Sequence, residues 1–461
     1  MEVVFLKDLT RGKPWKVLLM FAIPLVLSGL IQQLYNMADS LIVGNFASLE
    51  NGGISGVNAL AAVGASSTIT MLFISLGNGG SMGCGVVISQ MFGGKRFGEV
   101  KTTLYTSLIF FCGLAVVMMI AGSLLAGPMT GWMNTPTEIY DAAVDYLRIY
   151  MFGLPFLFIY NVCNAIFNAL GDSRKPLYFL IFSSLFNILL DYIFVAKLGW
   201  AVKGVAWATF IAQGLACLLS LGVLLHKAAG IDAGDETVKY FDGKTLLSTL
   251  RIGVPSMIQM SIVSLGALLV QAVVNSFGPV FLAGYSSANR IHMFISTVIH
   301  TVGSAVSTYT AQNIGAGQYD RVQAGIRAAL SFMVAFSLAM VAVMFLFGRN
   351  LVGLFVDEPV DKVLSTGAFY LKLISIGMVP FSFLNCFNGV ARGAGYMPAF
   401  TISTLSDLAV RVAFAYLFAY CFPSVLGENV IAVSVIVGWC VGTILSVAFH
   451  CSGRWKHARK I

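Results

Sequence analysis

The sequence predicts an all-α membrane protein with twelve transmembrane helices, arranged as two pseudo-symmetric six-helix lobes around a central cavity. Hydrophobic residues make up 58% of the 461 residues, and charged residues only 10%. Apolar stretches of about twenty residues, the length needed to cross a hydrocarbon core of roughly 30 Å, alternate with short polar connections. Features of the first half also recur in the same order in the second half.

The apolar stretches are predicted to be helices rather than strands. Backbone amides find no water in lipid, so only helices and closed barrels span it, and these stretches lack the alternation of barrel strands. An N-terminal lobe is predicted over residues 1–226 and a C-terminal lobe over 251–461, joined by a cytoplasmic linker at 227–250. The fourth spans of the two lobes are predicted at Leu147–Leu170 and Phe369–Val390. No cleavage site follows the first span, which is therefore expected to remain as a membrane helix.

The basic residues predict the orientation in the membrane. They concentrate in alternate loops, such as Lys95–Lys101, the Arg174–Lys175 pair and the linker. Cytoplasmic loops of membrane proteins carry such an excess of Lys and Arg, so both termini are predicted to be cytoplasmic. The formal net charge of +8 is thus attributed to basic cytoplasmic loops and not to nucleic-acid binding. A multi-pass protein of the cell (inner or plasma) membrane is expected.

An internal repeat indicates that the two lobes are duplicates. Gln90-Met-Phe-Gly93 has a counterpart in Gln312-Asn-Ile-Gly315, and Pro24 has one in Pro255. Each repeat contains six predicted spans, an even number, so both repeats enter the membrane from the same side. Lobes of this kind are related by an axis along the membrane normal, with the cavity between them.

Two acidic residues inside the first lobe are the main candidates for chemistry. A charge at the centre of a span costs roughly 2.5–3.5 kcal/mol, so each needs a reason. Counting the helical rise from the cytoplasmic ends places Asp39 and Asp191 at similar depth. Asn187 lies one turn before Asp191, and Thr209 is at a similar depth. Two such carboxylates can hold one proton or one monovalent cation, because burial and repulsion disfavour two negative charges. The alternative is that both only brace neighbouring helices.

Further polar residues within spans are candidates for the substrate cavity: Gln33, Tyr35, Asn36, Asn161, Asn164, Asn168, Asp407 and Arg411. The three asparagines of the fourth span share one helix face, although interhelical amides often serve only in packing. Asp407 and Arg411 are spaced as an i, i+4 pair and are expected to neutralise each other. The isolated histidines are interpreted as core residues. No transition-metal or enzyme motif is present, so neither a cofactor nor an enzymatic activity is expected.

The sequence resembles the multidrug and toxic compound extrusion (MATE) family, and within it the DinF/MepA-like branch. The resemblance rests on Asn36-Met-Ala-Asp39-Ser40, Asn164-Ala-Ile-Phe-Asn168-Ala-Leu-Gly171-Asp172 and Asn187-Ile-Leu-Leu-Asp191, together with the repeated glutamine–glycine motif. It implies an efflux antiporter that exports amphipathic, often cationic, drugs or metabolites in exchange for H⁺ or Na⁺ by alternating access. The protein is expected to act as a monomer surrounded by lipid.

By this resemblance Asp39, Asn187, Asp191 and Thr209 match the cation site of the N-terminal lobe, and the first three could hold Na⁺. One branch of the family carries an acid in the seventh span, which here contains none. A flippase for a lipid-linked saccharide is the alternative function. The twelve predicted spans and the few central bases argue against it.

Overall fold

A computed structural model describes residues 8–46, 56–133, 135–355 and 360–457. Within these ranges the chain is helical, with short connections and no strand. The helices are α1 (Pro14–Phe46), α2 (Gly56–Gly93), α3 (Phe97–Trp132), α4 (Thr137–Phe152), α5 (Leu154–Ala169), α6 (Arg174–Asp191), α7 (Ala201–Ala229), α8 (Gly243–Ser276), α9 (Pro279–Gly315), α10 (Tyr319–Gly353), α11 (Asp361–Ile376), α12 (Met378–Gly393), α13 (Met397–Tyr416), α14 (Pro423–Leu426) and α15 (Val430–Cys451).

The predicted number of membrane crossings is confirmed. In the described part of the chain, nine helical segments are long and apolar enough to span a membrane, and two bent helix pairs bring the total to eleven. Helix α9 is less apolar, but its 37 residues are long enough for a bilayer at 1.5 Å per residue, and it is counted as the twelfth.

The fourth crossing of each repeat is broken, although single spans were predicted there. Helices α4 and α5 meet at a 47° bend, and so do α11 and α12. The breaks fall at Gly153 and Gly377, and Pro155 and Pro380 lie in the first turns that follow. Proline lacks the amide hydrogen that would continue the preceding helix. In the first half the helix begins ten residues before the predicted span, because α4 starts at Thr137.

The chain divides into two compact units. One contains Leu27–Met257, and the other contains Asp8–Val26 together with the chain from Ile258 onward. Helix α1 therefore passes from one unit to the other shortly after Pro24, and α8 does so shortly after Pro255. Each unit has its own apolar core.

The polar linker between α7 and α8 is fastened to α3. The backbone amides of Lys239 and Asp242 donate to the hydroxyls of Thr102 and Thr106, both over 3.1 Å. Asp242 also caps α8, because its carboxylate accepts hydrogen bonds from the amide and the hydroxyl of Thr245, each at 3.0 Å. These bonds stabilise the ionised carboxylate and lower the pKa of Asp242 below its usual value.

Removal of this cap is expected to lower stability. Asp242→Ala should destabilise the protein by about 1 kcal/mol at neutral pH, as for other helix caps. Since the pKa of Asp242 is lower in the folded state, the contribution is present above the unfolded value near pH 4 and disappears as the pH falls through the folded value. Thermal unfolding in detergent measures it. Asp235→Ala, an exposed acid of the same linker, is the control, and equal melting temperatures for the two variants would contradict the capping role.

Candidate functional site

The unit that contains Leu27–Met257 brings the two predicted acids together. Asp39 lies in the C-terminal part of α1, and Asp191 is the last residue of α6. Their carboxyl groups are close enough to interact electrostatically. Asp191 is completely buried. The two carboxyl groups share a hydrogen bond, and apart from it no described residue donates to either oxygen of Asp191 or to Oδ1 of Asp39.

Helix α6 changes geometry directly after Asp191. The segment Tyr192–Lys197 is π-helical, a form that is rare and frequent at functional sites. One turn before the acid, Asn187 is buried, and within the described chain neither its Oδ1 nor its Nδ2 has a partner. Buried polar groups normally find partners. The cluster of Asp39, Asn187 and Asp191 thus presents several oxygen atoms suited to a proton or a small hard cation.

Two tyrosines and a threonine complete this cluster. Tyr35, one turn before Asp39 on α1, interacts with both carboxylates and hydrogen-bonds Thr209 of α7. Tyr146 of α4 also interacts electrostatically with Asp39 and Asp191. Four helices therefore contribute to the site. Sequence reasoning missed Tyr146, because it lies just before the predicted fourth span, Leu147–Leu170.

Neither carboxylate is neutralised by a basic side chain within ion-pair distance in the described part of the chain. The lysine at the start of α7, Lys203, instead pairs with Asp145 over 3.0 Å. That pair is largely exposed and contributes little to stability. Compensation of the negative charge at Asp39 and Asp191 is thus left to a proton or a bound cation.

The remaining predicted residues of this unit lie on α1 and α5. Gln33 is half-buried on α1, and Asn36 is exposed and accepts a hydrogen bond of 3.2 Å from Gln32. The asparagines at 161, 164 and 168 are half-buried on α5. Each has one buried atom without a hydrogen-bond partner among the described residues: Asn161 Nδ2, Asn164 Oδ1 and Asn168 Oδ1. Asn164 also interacts with Tyr160.

Asp407 and Arg411 lie in the other unit, where they form the expected ion pair. Arg411 donates through one terminal nitrogen to both oxygens of Asp407, at 2.9 and 3.0 Å. Both residues line a cavity of about 460 Å³. His292 and His300 also line it, so they are not simply packed core residues as the sequence suggested.

The second repeat does not reproduce the acid pair. In the register set by Pro24 and Pro255, the position of Asp39 is occupied by Val270. In the register set by Pro176 and Pro398, the position of Asp191 is occupied by Ala413. The two lobes share a fold but differ in the chemistry of their interiors.

Comparisons with known proteins identify the family. The MatE family model matches residues 24–193 and 255–417, which is most of both repeats. The chain belongs to the MatE family. It is 28% identical over 452 residues to the probable multidrug resistance protein YpnP of Bacillus subtilis, covering 97% of each protein. It is 30% identical over 357 residues to YoeA of the same organism, also described as a probable multidrug resistance protein, covering 76% of this chain and 75% of YoeA.

Solved structures of MatE family members confirm the fold. An outward-facing multidrug resistance MATE transporter superposes with a TM-score of 0.88 at 24% identity, covering 99% of this chain and 100% of that one. The family resemblance and the twelve-helix architecture predicted from the sequence are therefore correct. The relatives are transporters and not enzymes, and they do not favour the flippase alternative.

Proposed function

We propose that this MatE family protein is a secondary active exporter that exchanges a small amphipathic, often cationic, compound for H⁺ or Na⁺. The observation that carries the proposal is the pair of the half-buried Asp39 and the fully buried Asp191, whose charge no basic residue of the described chain compensates. Such acids within a membrane mark ion pathways. YpnP and YoeA are described as probable multidrug resistance proteins, which supports the export of drug-like molecules.

In this mechanism the acid pair alternates between two states. When a proton or Na⁺ occupies it, the cation is shared by the two carboxylates and Asn187, and one of the two negative charges is neutralised. When the cation leaves, two negative charges in a dry environment repel each other, which favours a different arrangement of the surrounding helices. Pro24 lies inside α1, and bending there would move Asp39 relative to Asp191 on α6. Alternating access would follow from this movement.

The proposal includes the cellular setting predicted from the loops. The protein is inserted in the cell membrane with both termini in the cytoplasm, works as a monomer among lipids, and needs no cofactor besides its coupling ion.

Transport by the purified protein tests the proposed function. Reconstituted into liposomes, it should export ethidium, a planar cation, when a pH or Na⁺ gradient is imposed. Dissipating the effective gradient with an ionophore should return the flux to that of protein-free liposomes. A flux that is independent of both gradients would exclude antiport.

A further inference from the structure

The unit built from Asp8–Val26 and the chain from Ile258 onward contains a cavity that the cation pair does not use. Its volume is about 460 Å³, within the range of roughly 300–1,000 Å³ typical of small-molecule sites. Side chains of α8, α9, α11, α12, α13 and α15 line it. Its chemistry is different from that of the acid cluster.

One wall of the cavity is an aromatic platform centred on Trp439. The ring of Phe381 lies 4.5 Å from it, and His292 stacks on it at 5.7 Å with an interplanar angle of 30°. The guanidinium of Arg411 lies 5.8 Å from the same indole ring. Aromatic faces of this kind favour a planar partner.

The charged groups of the cavity wall are predominantly positive. Its described lining contains the guanidinium groups of Arg392 and Arg411 but only one carboxylate, Asp407. Arg392 donates to the hydroxyls of Ser307 and Ser304, at 3.2 and 3.4 Å. A low-dielectric wall with this balance attracts an anion and repels a cation.

Three polar atoms of the lining are buried without a hydrogen-bond partner in the described chain: Arg411 Nε, His292 Nε2 and Gln259 Oε1. Asp407 engages only the NH2 nitrogen of Arg411, so the Nε–H of the same guanidinium remains a charged donor. Gln259 is 93% buried, with 7% of its surface exposed. Leaving such groups unpaired costs about 1–3 kcal/mol each, which a bound ligand would recover.

We propose that this cavity binds a planar aromatic carboxylate. The ring system packs against the half-buried Phe381 beside Trp439. The carboxylate accepts hydrogen bonds from Arg411 Nε and from His292 in its Nε2–H tautomer, and Gln259 accepts one from a ring hydroxyl or N–H. The site does not depend on the coupling role of Asp39 and Asp191, so either proposal can fail alone. It extends the ligands of this protein from amphipathic cations to aromatic anions.

Equilibrium dialysis of the purified protein in detergent tests the site with two matched probes. The protein should bind 6-hydroxy-2-naphthoate at least tenfold more tightly than the uncharged 6-hydroxy-2-naphthamide, which has the same ring and hydroxyl. Equal or weaker binding of the naphthoate would overturn the proposal, because a purely apolar cavity or the detergent micelle favours the uncharged amide.

Substitutions at the two residues of the ion pair should change the affinity for naphthoate in opposite directions. Arg411→Gln should weaken naphthoate binding at least tenfold, and Arg411→Lys, which keeps the charge but loses Nε, should weaken it less. Asp407→Asn should tighten binding several-fold, because it removes the competing carboxylate. The exposed Arg327→Gln in the same unit is the control. Naphthoate affinities of Arg411→Gln and Asp407→Asn that match the control, in variants with unchanged melting temperature, would contradict the proposed site.

Discussion

Asp191→Asn is expected to reduce the rate of gradient-driven export by tenfold or more. This corresponds to an increase of about 1.4 kcal/mol or more in the activation free energy of the transport cycle. The amide has nearly the same shape as the carboxyl group but cannot gain or release a proton, and it binds a cation poorly. Asp191 is completely buried and its neighbour Asp39 has no basic partner in the described chain. Asp39 could then still bind and release a proton. Without the charge of Asp191, however, release of the proton would no longer create the repulsion that drives the change from the cation-bound to the cation-free arrangement. Dye efflux from proteoliposomes measures the loss.

The same substitution should leave the fold intact. Removing one of two buried like charges relieves desolvation and repulsion, so the melting temperature in detergent should be unchanged or raised. Asp145→Asn is the matched control, since Asp145 forms a surface pair with Lys203 of α7. Loss of export in both variants would point to general damage of this helix bundle instead of a specific coupling site.

Gly389→Val is expected to have the largest effect on stability. Gly389 and Gly393, one turn apart on α12, pack against α9, and a Cβ on Gly389 would lie 2.4 Å from the carbonyl oxygen of Gly303. The obstacle is backbone, which cannot rotate away. Small residues at this spacing allow close helix contact in membranes. Inserting three carbons should cost at least the roughly 1–3 kcal/mol typical of overpacking.

A thermal shift in detergent measures that effect. Gly113→Val on α3 is the control, since a Cβ at Gly113 meets nothing within 4 Å. The Gly389 variant should melt several degrees lower and accumulate less protein, whereas the Gly113 variant should resemble the wild type. Similar melting of the two variants would contradict the close contact between α9 and α12.

Hydrophobic length and rare charges made much of this protein predictable from its sequence. Most crossings are apolar stretches of sufficient length, so the twelve-helix fold followed from composition and spacing. Asp39 and Asp191 were identified because a carboxylate in a membrane span is expensive. The bends at Gly153 and Gly377 were not predicted, since a break inside an apolar stretch leaves hydropathy unchanged.

Features that depend on tertiary packing could not be predicted in this way. Tyr146 reaches the acid cluster from α4, but a tyrosine near a helix start carries no distinctive sequence signal. The cavity around Trp439 combines Gln259, His292 and Arg411 from separate helices, and only their packing shows that they converge. The i, i+4 pair of Asp407 and Arg411 was predictable because both partners lie on one helix.

The two repeats have diverged in chemistry while keeping their architecture. The unit containing Leu27–Met257 pairs the half-buried Asp39 with the buried Asp191, whereas the cavity of the other unit is lined by two arginines and one acid. Val270 and Ala413 occupy the positions in the second repeat that are equivalent to Asp39 and Asp191. This is consistent with a single coupling site. We therefore expect Asp407→Asn to retain gradient-driven export of a cationic dye.

The most direct test of the shared cation site is a double-mutant cycle of ion-driven ethidium efflux, comparing wild type, Asp39→Asn, Asp191→Asn and the double variant. If the two carboxylates act as one unit, the double variant should be no worse than the more impaired single variant. Losses that multiply would indicate two independent sites, and wild-type efflux by the double variant would refute coupling at Asp39 and Asp191 altogether.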